Sequence, residues 1–325
     1  MSGPRAVIDH VIAAISPGSE AQAAGARLRL GNPEPGSLAE LAIRLAAARH
    51  APAPRTARKA LIVVLAEHGC ADPGVDLGDA HPAVIAARAI DAGDAAVAAA
   101  ARAAGARVVL VEAGLATRAA LPASVIRMSS GRGAADVTVG AASTPVDVLL
   151  AVQSGVAVAT ALADDGLDVL ALGHVAPGAE VAAAAVVARL AGVALDEVAG
   201  DADRADVAAA LAAAGPVTEP LEVLAALGGG DLAFLTGVIL AAASMDVPVV
   251  LEDHGTSAAA LVAARLAPAV PAYLIAAHGG TRPSHRRALA ALGLSPLFAL
   301  GVGSGEGAGA ALALGLIDGA ARLLA

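Results

Sequence analysis

Short apolar runs alternate with longer alanine-rich stretches along most of this chain. Ala60–Leu65, Arg107–Val111, Leu167–Leu172, Val247–Leu251 and Tyr273–His278 are brief and nearly continuous in hydrophobicity. That is the pattern of parallel strands buried on both faces. Between them, His81–Ala104, Pro145–Asp165, an alanine-rich segment ending near Leu190, and Phe234–Ser244 have the length and composition of helices. Val193–Gly215 is expected to be largely helical and acidic. Strand, helix, strand in this order predicts an α/β fold. Near the N-terminus Ile8, Val11, Ile12 and Ile15 mark one helical face, and Ser16-Pro17-Gly18 stops it. Pro33–Leu38 is a turn, and Ser37 is placed to cap the helix that runs to Arg49.

Composition narrows the chemistry. The 325 residues are long enough for a large core, but only 1% are aromatic, so that core is aliphatic with helices meeting at alanine faces. A net charge of -9 with scattered basic residues argues against nucleic acid. Lys59 is the only lysine, which leaves arginine, backbone N–H groups or helix ends to hold a phosphate. The single cysteine, Cys70, gives neither an internal disulfide nor a metal framework. Arg5, Asp9 and His10 interrupt Met1–Ile15, so no signal peptide is expected. Mean hydropathy is +0.72. The best membrane candidate, Leu232–Val250, is nevertheless broken by Gly237, Asp246 and Pro248, and a soluble cytoplasmic protein is expected.

The most informative stretch is Leu300–Leu314, LGVGSGEGAGAALAL. One carboxylate, Glu306, stands among Gly301, Gly303, Gly305, Gly307 and Gly309, just before a predicted helix. Glycines let a ligand approach the backbone, and a helix start offers free N–H groups. Burial of a carboxylate in such a setting raises its pKa, which suits a general base. The plain alternative is a flexible turn whose acid caps the helix. Gly173-His174-Val175-Ala176-Pro177-Gly178 joins a strand to a helix through glycine, a second ligand-binding arrangement. His68, after the first strand, is either a polar site group or a histidine satisfied within its turn. Glu252-Asp253-His254 is either a set that titrates together or a solvated loop.

These segments resemble nicotinate-nucleotide:dimethylbenzimidazole phosphoribosyltransferases. SGEGAGAALAL is similar to the family's R-L-G-E-G-[ST]-G-A-A-L-A, and Glu306 matches the glutamate taken there as general base. Glu67-His68-Gly69 resembles x-D-H-G-V, and Pro220–Leu232 resembles D-P-L-x-V-L-x-x-V-G-G-x-[DE]-[LI]. Tyr273–His278 resembles Y-L-x-x-S-H. Gly173 matches G-E-x-G-x-x-N-T-T, with His174 in place of its glutamate. Arg282 replaces a downstream glutamate and is a candidate phosphate ligand.

The resemblance implies a parallel sheet with helices on both faces, Rossmann-like. It also implies a small helical domain over residues 1–55 with part of the C-terminal end, and an active-site domain over 56–325. The implied reaction moves the 5-phosphoribosyl group of nicotinate mononucleotide to a benzimidazole-like base, within cobalamin lower-ligand synthesis. It needs no cofactor or metal and typically occurs in a homodimer. Glu306 is the implied catalytic base. His68, Gly173, His174, Gly178, His278, Arg282, Gly303, Gly305 and Gly307 are the implied substrate-binding positions. A non-catalytic nucleotide- or base-binding relative, or a partner subunit, is the alternative.

Overall fold

The computed structural model describes residues 3–31, 37–71, 76–117, 119–129, 132–301 and 305–325. Six parallel strands form one sheet in the order β3-β2-β1-β4-β5-β6. They are β1 (Lys59–Leu65), β2 (Ala106–Glu112), β3 (Ile126–Arg127), β4 (Val169–Val175), β5 (Val249–Leu251) and β6 (Leu274–Ala276). The chain builds outward from β1 to β2 and β3, then returns to place β4 on the other side of β1. In an open α/β sheet, ligands bind beyond the carboxyl ends of the strands at such a reversal. Here that point lies after Leu65 and Val175, which are register partners.

Alternation along the strands divides the core in two. Ile62 and Val64 of β1, with Leu170 and Leu172 of β4, pack into one cluster; Leu61, Val63, Leu65, Val169 and Ala171 pack into the other. The helices Pro145–Asp164, Ala179–Ala191, Gly229–Ser244 and His254–Leu266 cover the first face. Leu38–Ala48, Pro82–Ala92, Ala96–Ala103 and Ala308–Arg322 cover the second. Ser37 caps the 38–48 helix by accepting the Glu40 N–H at 3.2 Å. The terminal helices join both layers: Pro4–Ala14 packs on 145–164 and 229–244, and the 38–48 and 308–322 helices pack on each other.

Two helices, Pro145–Asp164 and Pro220–Ser244, are long and apolar enough by length and composition to cross a membrane. They pack against each other within the α/β body, at Gly155 and Gly237. The 220–244 helix is 89% buried over its apolar window, as a core element is, whereas the 145–164 helix is 33% buried and buries one face only.

Several boundaries differ from the sequence expectations. The stretch 81–104 is two helices, because Gly93 turns left-handed (φ 83°) and closes the first. Residues 193–215 hold only Leu195–Val198 and Arg204–Ala214 as helices. The fourth strand runs on to Val175, so Gly173 and His174 belong to the strand and not to a loop. The helix expected from Phe234 begins at Gly229, preceded by a π turn over Leu224–Gly228. β3 is two exposed residues with no strand-like run, and nothing in its pattern announced it.

Candidate active site

The C-terminal segment enters the site along the end of β6. Leu297 and Phe298 donate backbone hydrogen bonds to the carbonyls of Ala276 and Ala277, and Phe298 stacks on His278 with ring centres 6.1 Å apart. Beyond it, the Gly305 carbonyl accepts the His174 N–H at 2.9 Å. Glu306 is thereby laid beside the end of β4. It sits between Gly305 (φ 71°) and Gly307 (φ 106°), both in the left-handed region that a side chain disfavours. Gly307 then caps the 308–322 helix.

Glu306 is part-buried, and its carboxyl is pushed above the usual glutamate range, by burial first and by the nearby Glu252 carboxylate second. It is therefore not the lone acid that its glycine setting suggested. The helix start is not free either. Glu252 is fully buried at the end of β5 and accepts the N–H groups of Gly309, at 3.2 Å, and Ala310. A buried carboxylate answers two of the donors a helix start leaves unmatched. The same carboxylate lies 3.5 Å from His278 Nε2 and raises that imidazole's pKa. Glu252-Asp253-His254 is accordingly no solvated loop: Asp253 Oδ2 lies 3.0 Å from His254 Nδ1. Burial opposes ionisation of Asp253, but His254 outweighs it and holds the carboxyl far below its ordinary value.

A second constellation joins the two strands at the reversal point. Asp231 Oδ2 takes His68 Nε2 at 2.9 Å and His174 Nε2 at 2.7 Å, and all three side chains are buried. Asp231 reaches this position because Gly229 (φ 75°) redirects the chain after the π turn, setting the acid in the first turn of the 229–244 helix. Burial works against its charge, yet the two imidazoles outweigh burial and keep it strongly acidic. Burial likewise opposes a charged His68, and Asp231 lifts that imidazole above its ordinary value. The sequence raised Glu252 only as one of a set that titrates together, and did not raise Asp231 as a site group. Asp231 is an acid inside an otherwise apolar and glycine-rich run, and that was the available signal.

The structure brings Gly173, His174, Gly305, Glu306 and Gly307 together, and joins His68 to them through Asp231. Gly178 (φ 83°) starts the 179–191 helix with its backbone against His68 and Cys70. His278 belongs to the Glu252 end of the same cluster. Arg282 is paired with Asp203 at 2.9 Å, so its guanidinium already carries a carboxylate partner. Gly303 lies outside the described residues.

A cavity of about 1030 Å³ adjoins the carboxyl end of β1. Its lining includes His68, Glu67, His81, Met128, Arg132 and Phe234, with His81 Nε2 2.8 Å from the Glu67 carboxylate. Among the described residues Glu306 does not line it. The His68–Asp231–His174 bridge connects the cavity wall to the strand end that bears Glu306.

The family model described as phosphoribosyltransferase matches residues 12–325. A nicotinate-nucleotide–dimethylbenzimidazole phosphoribosyltransferase of Roseiflexus sp. (strain RS-1) is 36% identical over 337 residues, covering 98% of this chain and 95% of the relative. The enzyme so named from Streptomyces avermitilis is 37% identical over 304 residues, covering 89% and 81%. The crystal structure of the nicotinate-nucleotide–dimethylbenzimidazole phosphoribosyltransferase from Thermus thermophilus superposes with a TM-score of 0.85 at 34% identity, over 94% of this chain and 96% of that one. With sequence and fold in agreement, the chain belongs to this phosphoribosyltransferase family.

Proposed function

We propose that the protein transfers the 5-phosphoribosyl group of nicotinate mononucleotide to a benzimidazole-like base, giving an α-ribotide for a cobalamin lower ligand. A ring nitrogen of the base forms a bond to the anomeric carbon as the bond from that carbon to nicotinate breaks. Nicotinate leaves with the bonding electrons, and Glu306 accepts the proton that the base loses. The observation that carries this reading is the part-buried Glu306 between two left-handed glycines, at the carboxyl end of a central strand, with its pKa raised. A carboxylate shifted toward neutral pH is a better proton acceptor than an ordinary surface glutamate.

The cavity beside His68 has the volume of a small-molecule site and supports a nucleotide and a base as ligands. Gly178 at the start of the 179–191 helix and Arg282, which would exchange its Asp203 partner for the phosphate, are the proposed phosphate-side contacts. In this reading the protein works in the cytoplasm as a homodimer, with the terminal helices forming a small unit against the α/β body. Incubation with nicotinate mononucleotide and a panel of bases, followed by product identification by mass spectrometry and NMR, tests it. An α-ribotide from a benzimidazole is the expected product. Recovery of free ribose phosphate alone, or of no product from a folded protein, contradicts the reading.

A further inference from the structure

Asp231 is a single carboxylate shared by two buried imidazoles, His68 just beyond β1 and His174 on β4, and it bears on the placement of Glu306. Both Nε2 atoms lie at hydrogen-bond distance from the same oxygen, so each imidazole donates its Nε2–H to Asp231. The His174 ring is held on its other side by the start of the 254–266 helix. A Cβ built on Gly255 stands 2.1 Å from His174 Nδ1, so only glycine admits the ring there. The ring is thus fixed between Asp231 and Gly255. The backbone of the same residue holds the catalytic segment: the His174 N–H binds the Gly305 carbonyl, and Gly173 packs on the Glu306 carbonyl.

We propose that His174, clamped between Asp231 and Gly255, is a positioning residue that fixes where the Glu306 carboxylate stands relative to the reacting nitrogen. The proposal rests on Glu306 being the general base. His174 touches neither substrate in this scheme. It sets the strand end on which Gly305 and Glu306 are laid, and Asp231 sets His174. Misplacement of a catalytic group by ~1 Å costs about 10²-fold in rate, so a slackened His174 lowers turnover more than binding.

The test is steady-state nicotinate release by the full chain for His174→Ala, His174→Gln and Glu306→Gln, and for Glu306→Gln combined with His174→Ala. Circular dichroism and thermal melts verify folding. His174→Ala is expected to lower kcat by about 10²-fold, with KM for nicotinate mononucleotide changed by no more than about two-fold. His174→Gln places an amide donor near the Nε2 position and recovers most of the rate. In the Glu306→Gln background, His174→Ala causes no further loss, because there is no carboxylate left to place. Should the alanine variant not fold, His174→Asn takes its role, since its amide is too short to reach Asp231.

Wild-type kcat in a folded His174→Ala, or an equal fold-loss with and without Glu306, overturns the proposal while leaving the base assignment intact. Full activity in Glu306→Gln removes the base assignment, and the positioning role with it.

Discussion

The Cα of Gly173 lies against the carbonyl of Glu306, so closely that a Cβ at position 173 would stand 2.2 Å from that oxygen. The contact couples the end of a central strand to the catalytic segment through backbone alone. Gly173→Ala therefore pushes the Glu306 segment off the strand without adding or removing any charge. The expected outcome is a loss of about 10²-fold in kcat with the far-UV circular dichroism of the wild type. Unchanged turnover in a folded variant means that this approach does not set the position of Glu306.

The raised pKa of Glu306 fixes the sign of the pH dependence. A general base works as the carboxylate, so activity falls as pH drops through its pKa, and here the fall begins above the ordinary glutamate value of 4.5. Burial is the larger cause of the shift and Glu252 the smaller. Glu252→Gln removes the like charge and moves the acidic limb of the kcat profile partway down in pH. It also leaves the 308–322 helix with a weaker cap, at a cost of about 1–3 kcal/mol. A limb that stays in place, measured from pH 4 to pH 8, excludes Glu252 as a contributor.

The Asp231 bridge contributes stability within a defined pH window. The Asp231 pKa is lowered, so its contribution is present above the unfolded value of 3.8 and is lost as pH falls through the lower folded value. The His68 pKa is raised, so its contribution is complete below the unfolded value of 6.5 and is lost as pH rises through the higher folded value. Both are present between 3.8 and 6.5. Asp231→Asn is expected to cost about 3–5 kcal/mol at pH 5, the order seen when one partner of a buried charged pair is removed. Urea denaturation at pH 5 and pH 9 measures the difference, which is larger at pH 5. Equal losses at both values contradict a charged bridge.

The long helices 145–164 and 229–244 meet at two glycines. A Cβ on Gly155 would lie 2.0 Å from the Phe234 carbonyl oxygen, and one on Gly237 would lie 2.0 Å from that of Val152. Alanine gains up to about 1 kcal/mol of helix propensity over glycine. Forcing two backbones apart in a packed core costs about 1–3 kcal/mol, occasionally more, and the clash wins. Gly237→Ala is expected to lower the midpoint of denaturation. A raised midpoint means that the helices separate without penalty.

Much of this architecture was legible in the sequence because parallel strands buried on both faces must be continuous apolar runs. The runs at 60–65 and 107–111 proved to be strands of nearly the expected length. The strand after Leu167 was harder to bound. Gly173 and His174 read as the start of a loop, but the chain stays extended because Asp231 answers the imidazole and the Glu306 segment covers the glycine.

The Glu306 segment was conspicuous for a local reason, its glycines. Asp231 and the capping role of Glu252 were not conspicuous, because both depend on partners distant in sequence: His68 and His174 for one, and Gly309 and Ala310 for the other. The expectation of an open helix start at Ala310 fails for the same reason. Its donors are taken by Glu252, which stands just beyond β5.

The measurement that bears most directly on the role of Glu306 is nicotinate release from nicotinate mononucleotide in the presence of dimethylbenzimidazole, by the wild-type protein and by Glu306→Gln. Steady release with formation of the ribotide is expected of the wild type. In the variant kcat is expected to fall by about 10²–10⁴-fold, the range for removal of a general base. Release by Glu306→Gln at the wild-type rate would contradict the assignment of Glu306 as the proton acceptor.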